Sequence, residues 1–385
     1  YDDMMEIGDN RHTAMFEIIV NWSLGDFFKK EQINGIMAFW IEKCNLDPSR
    51  LYVSVFEGDA DAPRDIEAIQ IWQEAFLKYG ITAKFCEDIS NLPKNLEEGK
   101  NWEYRIFPFP KKKNWWERAH APSELGGPNS EMFYDLGSGR VEQGKYNIND
   151  DSGRFIEIGN NVFMQNVLDT NLKWQMLPQK NIDFGGGFER VVMIVQGKDD
   201  IFETDLYMPI IQKVGELSGK TYKTKGEENE FTSAFRIIAD HARASTFILA
   251  DGVMPSNKDQ GYILRRFIRR LIRFGIKLEI NNNFSKIIAE TVIERMQNAY
   301  PHLLEQKATV LEAIDKEENA FRLTLVKGLQ FLRAVVETQN DKKQIPQNVE
   351  TQNFASPHQQ IASPQQIPSL QQIASAISGA TAYNI

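Results

Sequence analysis

The 385-residue chain, 42% hydrophobic and 25% charged, is long enough for two packed domains and has an ordinary globular composition. No apolar run approaches the roughly 18 residues of a membrane helix, and the acidic start Tyr1-Asp2-Asp3-Met4-Met5-Glu6 is unlike a signal peptide, so membrane and secreted classes are set aside. A formal net charge of -9 excludes a uniformly basic nucleic-acid binder, while Cys44 and Cys86 are too few for a disulfide framework and too distant for a C-x-x-C pair, pointing to a reducing cytoplasm.

From Tyr1 to about Gly215, β-rich runs mix with helices. Leu51–Phe56, Glu131–Asp135 and Phe155–Ile158 carry the aromatic and branched residues that suit strands. They do not alternate regularly with helices, so the expected class is α+β with a largely antiparallel sheet rather than a doubly wound parallel one. There is no G-x-G-x-x-G and no Walker-type lysine loop, so bound ATP would need another kind of site.

Three constellations fall in this part. Arg11 to Glu17 followed by Asn21 to Phe28 reads as a buried strand passing through a polar turn into a helix, with Glu17 and Asn21 at strand-end positions. Asn114-Trp115-Trp116, then Gly126 to Asp135, places paired tryptophans ahead of a glycine turn. That pattern suits either a small apolar ligand wall with close backbone approach or a hairpin with core tryptophans. Glu157 to Gln165, then Ile182-Asp183-Phe184-Gly185-Gly186-Gly187-Phe188-Glu189-Arg190, is the most informative. It offers a carboxylate for a ligand ammonium, bare backbone beside it, and a guanidinium for phosphate; a glycine-rich turn with a structural Asp is the plainer reading.

Residues 216–338 read as helical, with apolar residues at helical spacing over Ser285–Met296 and Ala308–Val336, punctuated by Gly275 and Pro301. Between Phe231 and Lys277, nine Lys/Arg stand against three Asp, a local excess of six positive charges. Within it Arg265, Arg266, Arg269, Arg270 and Arg273 have no acidic residue among them, while Phe267, Ile268, Leu271 and Ile272 supply an apolar stripe. The result is a basic amphipathic helix suited to phosphate contact. Asp240-His241 admits a metal-hydrolase pair, but no second cluster stands at ligand spacing, so a hydrogen-bonded core histidine is the preferred reading. Residues 339–376 hold ten Gln and three near-copies of one hexapeptide, a composition that reads as a disordered linker.

In this order and at these separations, the segments from Tyr1 to about Val336 resemble the alanyl-tRNA synthetases, class II aminoacyl-tRNA synthetases. Asn160 to Gln165, the motif 3-like Asp183 to Arg190, Glu203-Thr204-Asp205-Leu206 and the Ala239 to Arg273 block carry the resemblance. It implies a class II antiparallel sheet flanked by helices over 1–215, an all-helical tRNA-binding domain over 216–338, the linker 339–376, and at 377–385 the start of a segment leading toward an editing domain. Glu17, Trp116, Asn160, Val162, Asp183, Gly185 and Arg190 are the implied alanine and ATP contacts, with Asp183 and Arg190 catalytic. Asn257 and the five arginines are the implied tRNA contacts.

The implied activity is ATP-dependent alanine activation and transfer to the terminal ribose of tRNA(Ala), with Mg²⁺ and without zinc, membrane or covalent enzyme intermediate. A non-catalytic tRNA-binding paralogue is the alternative. The motif 2 arginine of the family pattern would precede Tyr1, so the chain alone is expected to activate alanine poorly. The sequence departs from the pattern in having Ala14 for Thr, Ile18-Ile19-Val20 for Met-Leu-Gly, Glu124 to Pro128 for Gly-Pro-Cys-Gly-Pro, Gly159 for Trp, and Phe184 to Gly187 for Thr-Gly-Met-Gly.

Overall fold

The computed structural model describes residues 6–87, 104–137, 148 and 153–344, with side chains to Arg333. The chain divides into two compact units, Asn10–Met208 and Tyr1–Asp9 with Pro209–Ile385.

In the first unit, β1 (Ile18–Leu24) turns into α1 (Lys29–Ala38). Then come β2 (Leu51–Phe56), α2 (Ile66–Leu77), β3 (Lys84–Phe85), β4 (Tyr104–Phe109), the single turn α3 (Lys111–Asn114) and β5 (Trp115–Glu117). Three long strands, β6 (Leu125–Asp135), β7 (Phe155–Leu168) and β8 (Trp174–Gly187), lead to α4 (Phe188–Val195). All eight strands form one sheet in the order β1-β8-β7-β6-β2-β4-β3, with β5 on β6.

The antiparallel sheet expected from the sequence is present, with two parallel pairs added, β2 with β4 and β3 with β4. After β2, α2 carries the chain back along the sheet, the crossover that a later strand parallel to β2 requires.

One sheet face packs on helices. Trp40, Trp72, Phe163 and Phe184 are fully buried there. Two buried polar pairs lie on this face: Trp72 Nε1 donates to Ser130 Oγ at 2.9 Å, and Gln32 Nε2 donates to Asn161 Oδ1 at 3.0 Å. Lys29, 2% exposed at the start of α1, meets Asp65 at 2.7 Å and Glu67 at 3.1 Å, tying the N-termini of α1 and α2 together.

β1 corrects the sequence reading. It is an edge strand, not a buried one, and Ile18, Val20, Trp22 and Leu24 lie exposed at alternate positions. Its turn into α1 is as expected: the buried Ser23 hydroxyl accepts the Asp26 and Phe27 N–H groups and donates to the Phe27 carbonyl.

Among the described residues, the second unit is helical apart from a hairpin of two-residue strands, β9 (Lys223–Thr224) and β10 (Glu227–Glu228). Its helices are α5 (Met208–Ser218), α6 (Thr232–Ala250), α7 (Asp259–Lys277), α8 (Ser285–Met296), α9 (Pro301–Glu305) and α10 (Lys307–Gln344). The periodic stretch at Ser285–Met296 is helical in full, and Pro301 opens a helix at the position where its missing N–H costs nothing.

Gly275 does not interrupt the helices as its sequence suggested; it lies inside α7. A Cβ there would sit 2.1 Å from a Phe284 ring atom, so the glycine is required by close packing and not by a turn. A second correction concerns residues 339–344, assigned above to the linker: α10 continues through them to Gln344. Asp341, Lys342 and Lys343 are compatible with helix, and the first proline comes only at Pro346. Residues 345–376 of the Gln-rich tract and the segment 377–385 lie outside the described residues.

Candidate active site

β8 has the alternation of a strand covered on one face. Ile182, Phe184 and Gly186 are buried on the helix side, and Asn181, Asp183, Gly185 and Gly187 are half-buried on the other. Strand register sets their neighbours, since cross-strand partners project from the same face. One row runs Val20, Gly185, Asn160, Glu131, and the next runs Trp22, Asp183, Val162, Asn129. Asn160, Val162, Asp183 and Gly185, four of the residues singled out from the sequence, are thus gathered on one face.

Arg190 stands in the first turn of α4, immediately after β8. Its Nη1 donates to the Glu157 carbonyl at 3.0 Å and lies 3.7 Å from the Glu157 carboxylate. Trp116 is half-buried on β5 opposite Gly127, one strand beyond those rows. Glu17 precedes β1 and is out of phase with Ile18, Val20 and Trp22. Its backbone N–H donates to both oxygens of Glu189 at 3.1 Å.

Three contributors were not singled out from the sequence. Trp22 Nε1 donates to Asp183 Oδ1 at 2.9 Å, a bond that follows from their register. Asn129 Nδ2 donates to Asn160 Oδ1 at 2.9 Å. Glu157 reaches this face because the β6–β7 register slips between Met132 and Phe133, so that Glu157 rather than Ile158 opposes Phe133. Such a bulge reverses the alternation beyond it.

Glu157 therefore neighbours Glu131, whose carboxyl is pushed up to about 8, first by burial and then by the Glu157 charge, against the opposing effects of Lys113 and the Ser54 hydroxyl. A carboxyl raised in this way binds a proton on folding. It costs no stability below the ordinary carboxylate range near about 4.3, and an increasing amount as pH climbs toward about 8. Glu131→Gln should remove this loss, flattening a decline of at most about 1.4 kcal/mol per pH unit. Urea unfolding of both proteins across that interval checks it; identical pH profiles would contradict the assignment.

The basic helix α7 is more internally engaged than its sequence indicated. An acidic partner absent from its own sequence arrives on α10: Glu317, 7% exposed, receives Arg265 Nε at 3.2 Å and Arg269 Nε at 2.8 Å. Arg265 also donates to Asn257 Oδ1. Arg270 Nη1 lies 3.0 Å from His241 Nε2, and Nη2 donates to the Ile7 carbonyl at 3.2 Å.

His241 is fully buried, its Nδ1 2.8 Å from Asp240 Oδ2, and burial lowers its pKa. A neutral ring donating from Nδ1 to Asp240 and accepting Arg270 at Nε2 satisfies both contacts, which makes His241 the hydrogen-bonded core residue expected. Arg266 is half-buried beside Tyr262, whereas Arg273 is exposed.

A family model described as tRNA synthetases class II (A) matches residues 1–354. The chain belongs to the class II (A) tRNA synthetase family. Among curated relatives, the alanine–tRNA ligase of Mycoplasma capricolum is 37% identical over 344 residues, covering 86% of this chain and 35% of that protein. That of Petrotoga mobilis is 35% identical over 348 residues, 90% of this chain and 36% of the relative. That of Borreliella afzelii is 36% identical over 332 residues, 85% of this chain and 51% of the relative. The chain thus spans about a third to a half of the length of these relatives.

Two departures from the alanyl-tRNA synthetase pattern given above acquire a physical meaning. A Cβ at Gly159 would lie 2.7 Å from two Phe184 ring atoms, so Phe184 fills space on the helix-covered face that a large residue at 159 would take. Gly126 and Gly127 are close to the protein's own groups: a Cβ would come within 2.6 Å of the Trp174 ring at the first and 2.0 Å of the Phe163 carbonyl at the second. Trp115, for its part, packs against Phe56 and Trp174, each with ring centroids 5.2 Å away. Trp115 is thus a core tryptophan of this hairpin. Among the described residues no group of three or more His, Cys, Asp or Glu is arranged for a metal ion, and no helix is long and apolar enough to cross a membrane.

Proposed function

We propose that this chain carries the alanine-activating core of an alanine–tRNA ligase together with part of its tRNA-binding region. The observation that carries this reading is the pair of rows joining Asn160, Val162, Asp183 and Gly185, with Arg190 in the first turn of the helix that follows β8.

Asp183 is the carboxylate for the α-ammonium of alanine, and Val162 and Trp116 bound the space left for a methyl side chain. Gly185, lacking a side chain, leaves backbone accessible beside them. Arg190 would exchange its contacts with Glu157 for an ATP phosphate, a bidentate partner that guanidinium suits. Mg²⁺ would supply charge neutralisation when bound with ATP; Glu157, joined by Glu131 once its proton is displaced, would provide oxygen donors of the hard kind it prefers. Little covalent chemistry falls to side chains; positioning and charge stabilisation account for the activation step. Arg273, Arg266 and Asn257 are the α7-region groups proposed to meet the tRNA backbone, and cytoplasmic location goes with the translation role.

Calorimetric titration with a non-reactive alanyl-adenylate sulfamate, beside its glycyl and valyl counterparts, tests the pocket. The alanyl compound is expected to bind most tightly, the glycyl compound weaker by about 1–3 kcal/mol, and the valyl compound not measurably. Equal binding of all three, or of none, would remove the alanine assignment. ATP–pyrophosphate exchange, with the Mycoplasma capricolum ligase as positive control, then asks whether activation follows binding.

A further inference from the structure

Asn160 sits among the ligand-facing residues, but a carboxamide can present either an acceptor or a donor, and its usefulness depends on which. The surrounding hydrogen bonds fix the choice. Asn129, 4% exposed on β6, directs its Nδ2 toward two acceptors, Asn160 Oδ1 at 2.9 Å and the Lys113 carbonyl at 3.5 Å. A carbonyl oxygen can only accept, so the end of the Asn129 amide facing Lys113 must be its NH₂ group. The other hydrogen of that group then goes to Asn160, which is left with its own NH₂ directed away from Asn129.

The backbone of Asn129 is held in turn. Fully buried Asn114 donates from Nδ2 to the Asn129 carbonyl and to Ser54 Oγ, each at 2.8 Å. Ser54 Oγ also accepts the Glu131 N–H at 3.1 Å, and Ser130 Oγ donates to the Ser54 carbonyl at 2.6 Å. The backbone of Asn129 is therefore held by buried, directional bonds, and its side chain is anchored through Nδ2.

We propose that Asn129 is a positioning residue that holds Asn160 as a hydrogen-bond donor for an acceptor oxygen of the substrate, the carboxylate of the amino acid. The proposal rests on the pocket reading above. Register supports the geometry: Asn160 opposes Gly185, and Asp183 is the diagonal neighbour two residues back on β8. Diagonal partners stand about 7–8 Å apart, enough for one zwitterion with its ammonium on Asp183 and its carboxylate on Asn160. An Asn160 turned the other way would set oxygen against oxygen.

The test compares alanine with alaninamide, which replaces the carboxylate by a group able to donate, using calorimetry on the 385-residue chain. The unmodified protein is expected to prefer alanine. Asn129→Asp has nearly the same shape but accepts only, so Asn160 must turn its NH₂ inward and offer oxygen to the ligand. The ratio of the alanine to the alaninamide dissociation constant should rise at least tenfold, with the sulfamate series still ordered by side-chain size.

A purely structural role would weaken both ligands together, and an unchanged ratio overturns the proposal. Because a buried Asp can impair folding, Asn160→Asp is the second variant: it keeps an acceptor for Asn129, should unfold at the same urea concentration as the parent, and should show the same rise in ratio. Asn160→Asp with parental preference for alanine also overturns it. If the parent binds neither alanine nor the alanyl sulfamate, the pocket reading itself has failed, an outcome distinct from an unaltered ratio in a protein that binds.

Discussion

Asp183→Ala is expected to weaken alanine binding by two to three orders of magnitude. The carboxylate lies half-buried beneath Trp22, whose indole N–H donates to it at 2.9 Å, with Val162 as its partner on β7 and Gly185 two residues along β8. An ammonium placed there exchanges water for a charged acceptor in a partly enclosed site. Removing one member of such a pair costs about 2–5 kcal/mol, because the other charge is left without its partner. At about 1.4 kcal/mol per decade, two to three decades lies within that range. Asp183→Asn separates charge from shape, since its oxygen can still accept from Trp22 while the negative charge is gone. Calorimetry on the two variants should show both losing most of the affinity. Asn at 183 binding alanine as tightly as Asp would move the ammonium contact elsewhere.

The second large effect concerns the other side of the sheet. Gly159→Trp, restoring the family residue at one position alone, is expected to destabilise the first unit by about 3 kcal/mol or more, the upper range for overpacking, because the Phe184 ring already lies 2.7 Å from where its Cβ would be. Phe184→Thr alone should cost about 3–5 kcal/mol through the cavity left beside Trp40, whose ring centroid is 6.4 Å from that of Phe184. The double variant should recover most of both losses, giving a coupling of several kcal/mol, since each change makes room for or fills the other. Urea unfolding of the four proteins measures this directly. Additive losses would mean that Gly159 and Phe184 are not alternative ways of filling one space.

The same contact bears on how much was readable beforehand. Asn160, Val162, Asp183 and Gly185 were legible as site residues only through the family resemblance; that they share one face follows once the strands are paired, because a strand returns every second residue to one side. Glu157 could not be added by that rule, since the register slip at Met132–Phe133 reverses the phase between it and Asn160. Gly159 and Phe184 looked like two separate departures near a pocket. Their compensation is visible only once β7 and β8 are paired and both positions turn out to face the helices.

The helical part shows a different limit. Periodicity located α8 to the residue and revealed the apolar stripe of α7, because both depend on neighbours within a few turns. The partner of Arg265 and Arg269 is 52 and 48 residues away, so a count of charges within the helix could not find Glu317. Gly275 was misread for a related reason: the ring that makes glycine necessary belongs to Phe284, outside the helix.

Glu317 also alters what five closely spaced arginines can deliver. Association with a polyanion draws much of its free energy from releasing the condensed ions around each phosphate that meets a cation. A guanidinium already neutralised by a carboxylate must give up that partner first, so Arg265 and Arg269 contribute less to indiscriminate attraction than the exposed Arg273. On the proposed tRNA-facing role of α7, the internal carboxylate would favour ligands whose phosphates reach both guanidiniums together, trading affinity for selectivity.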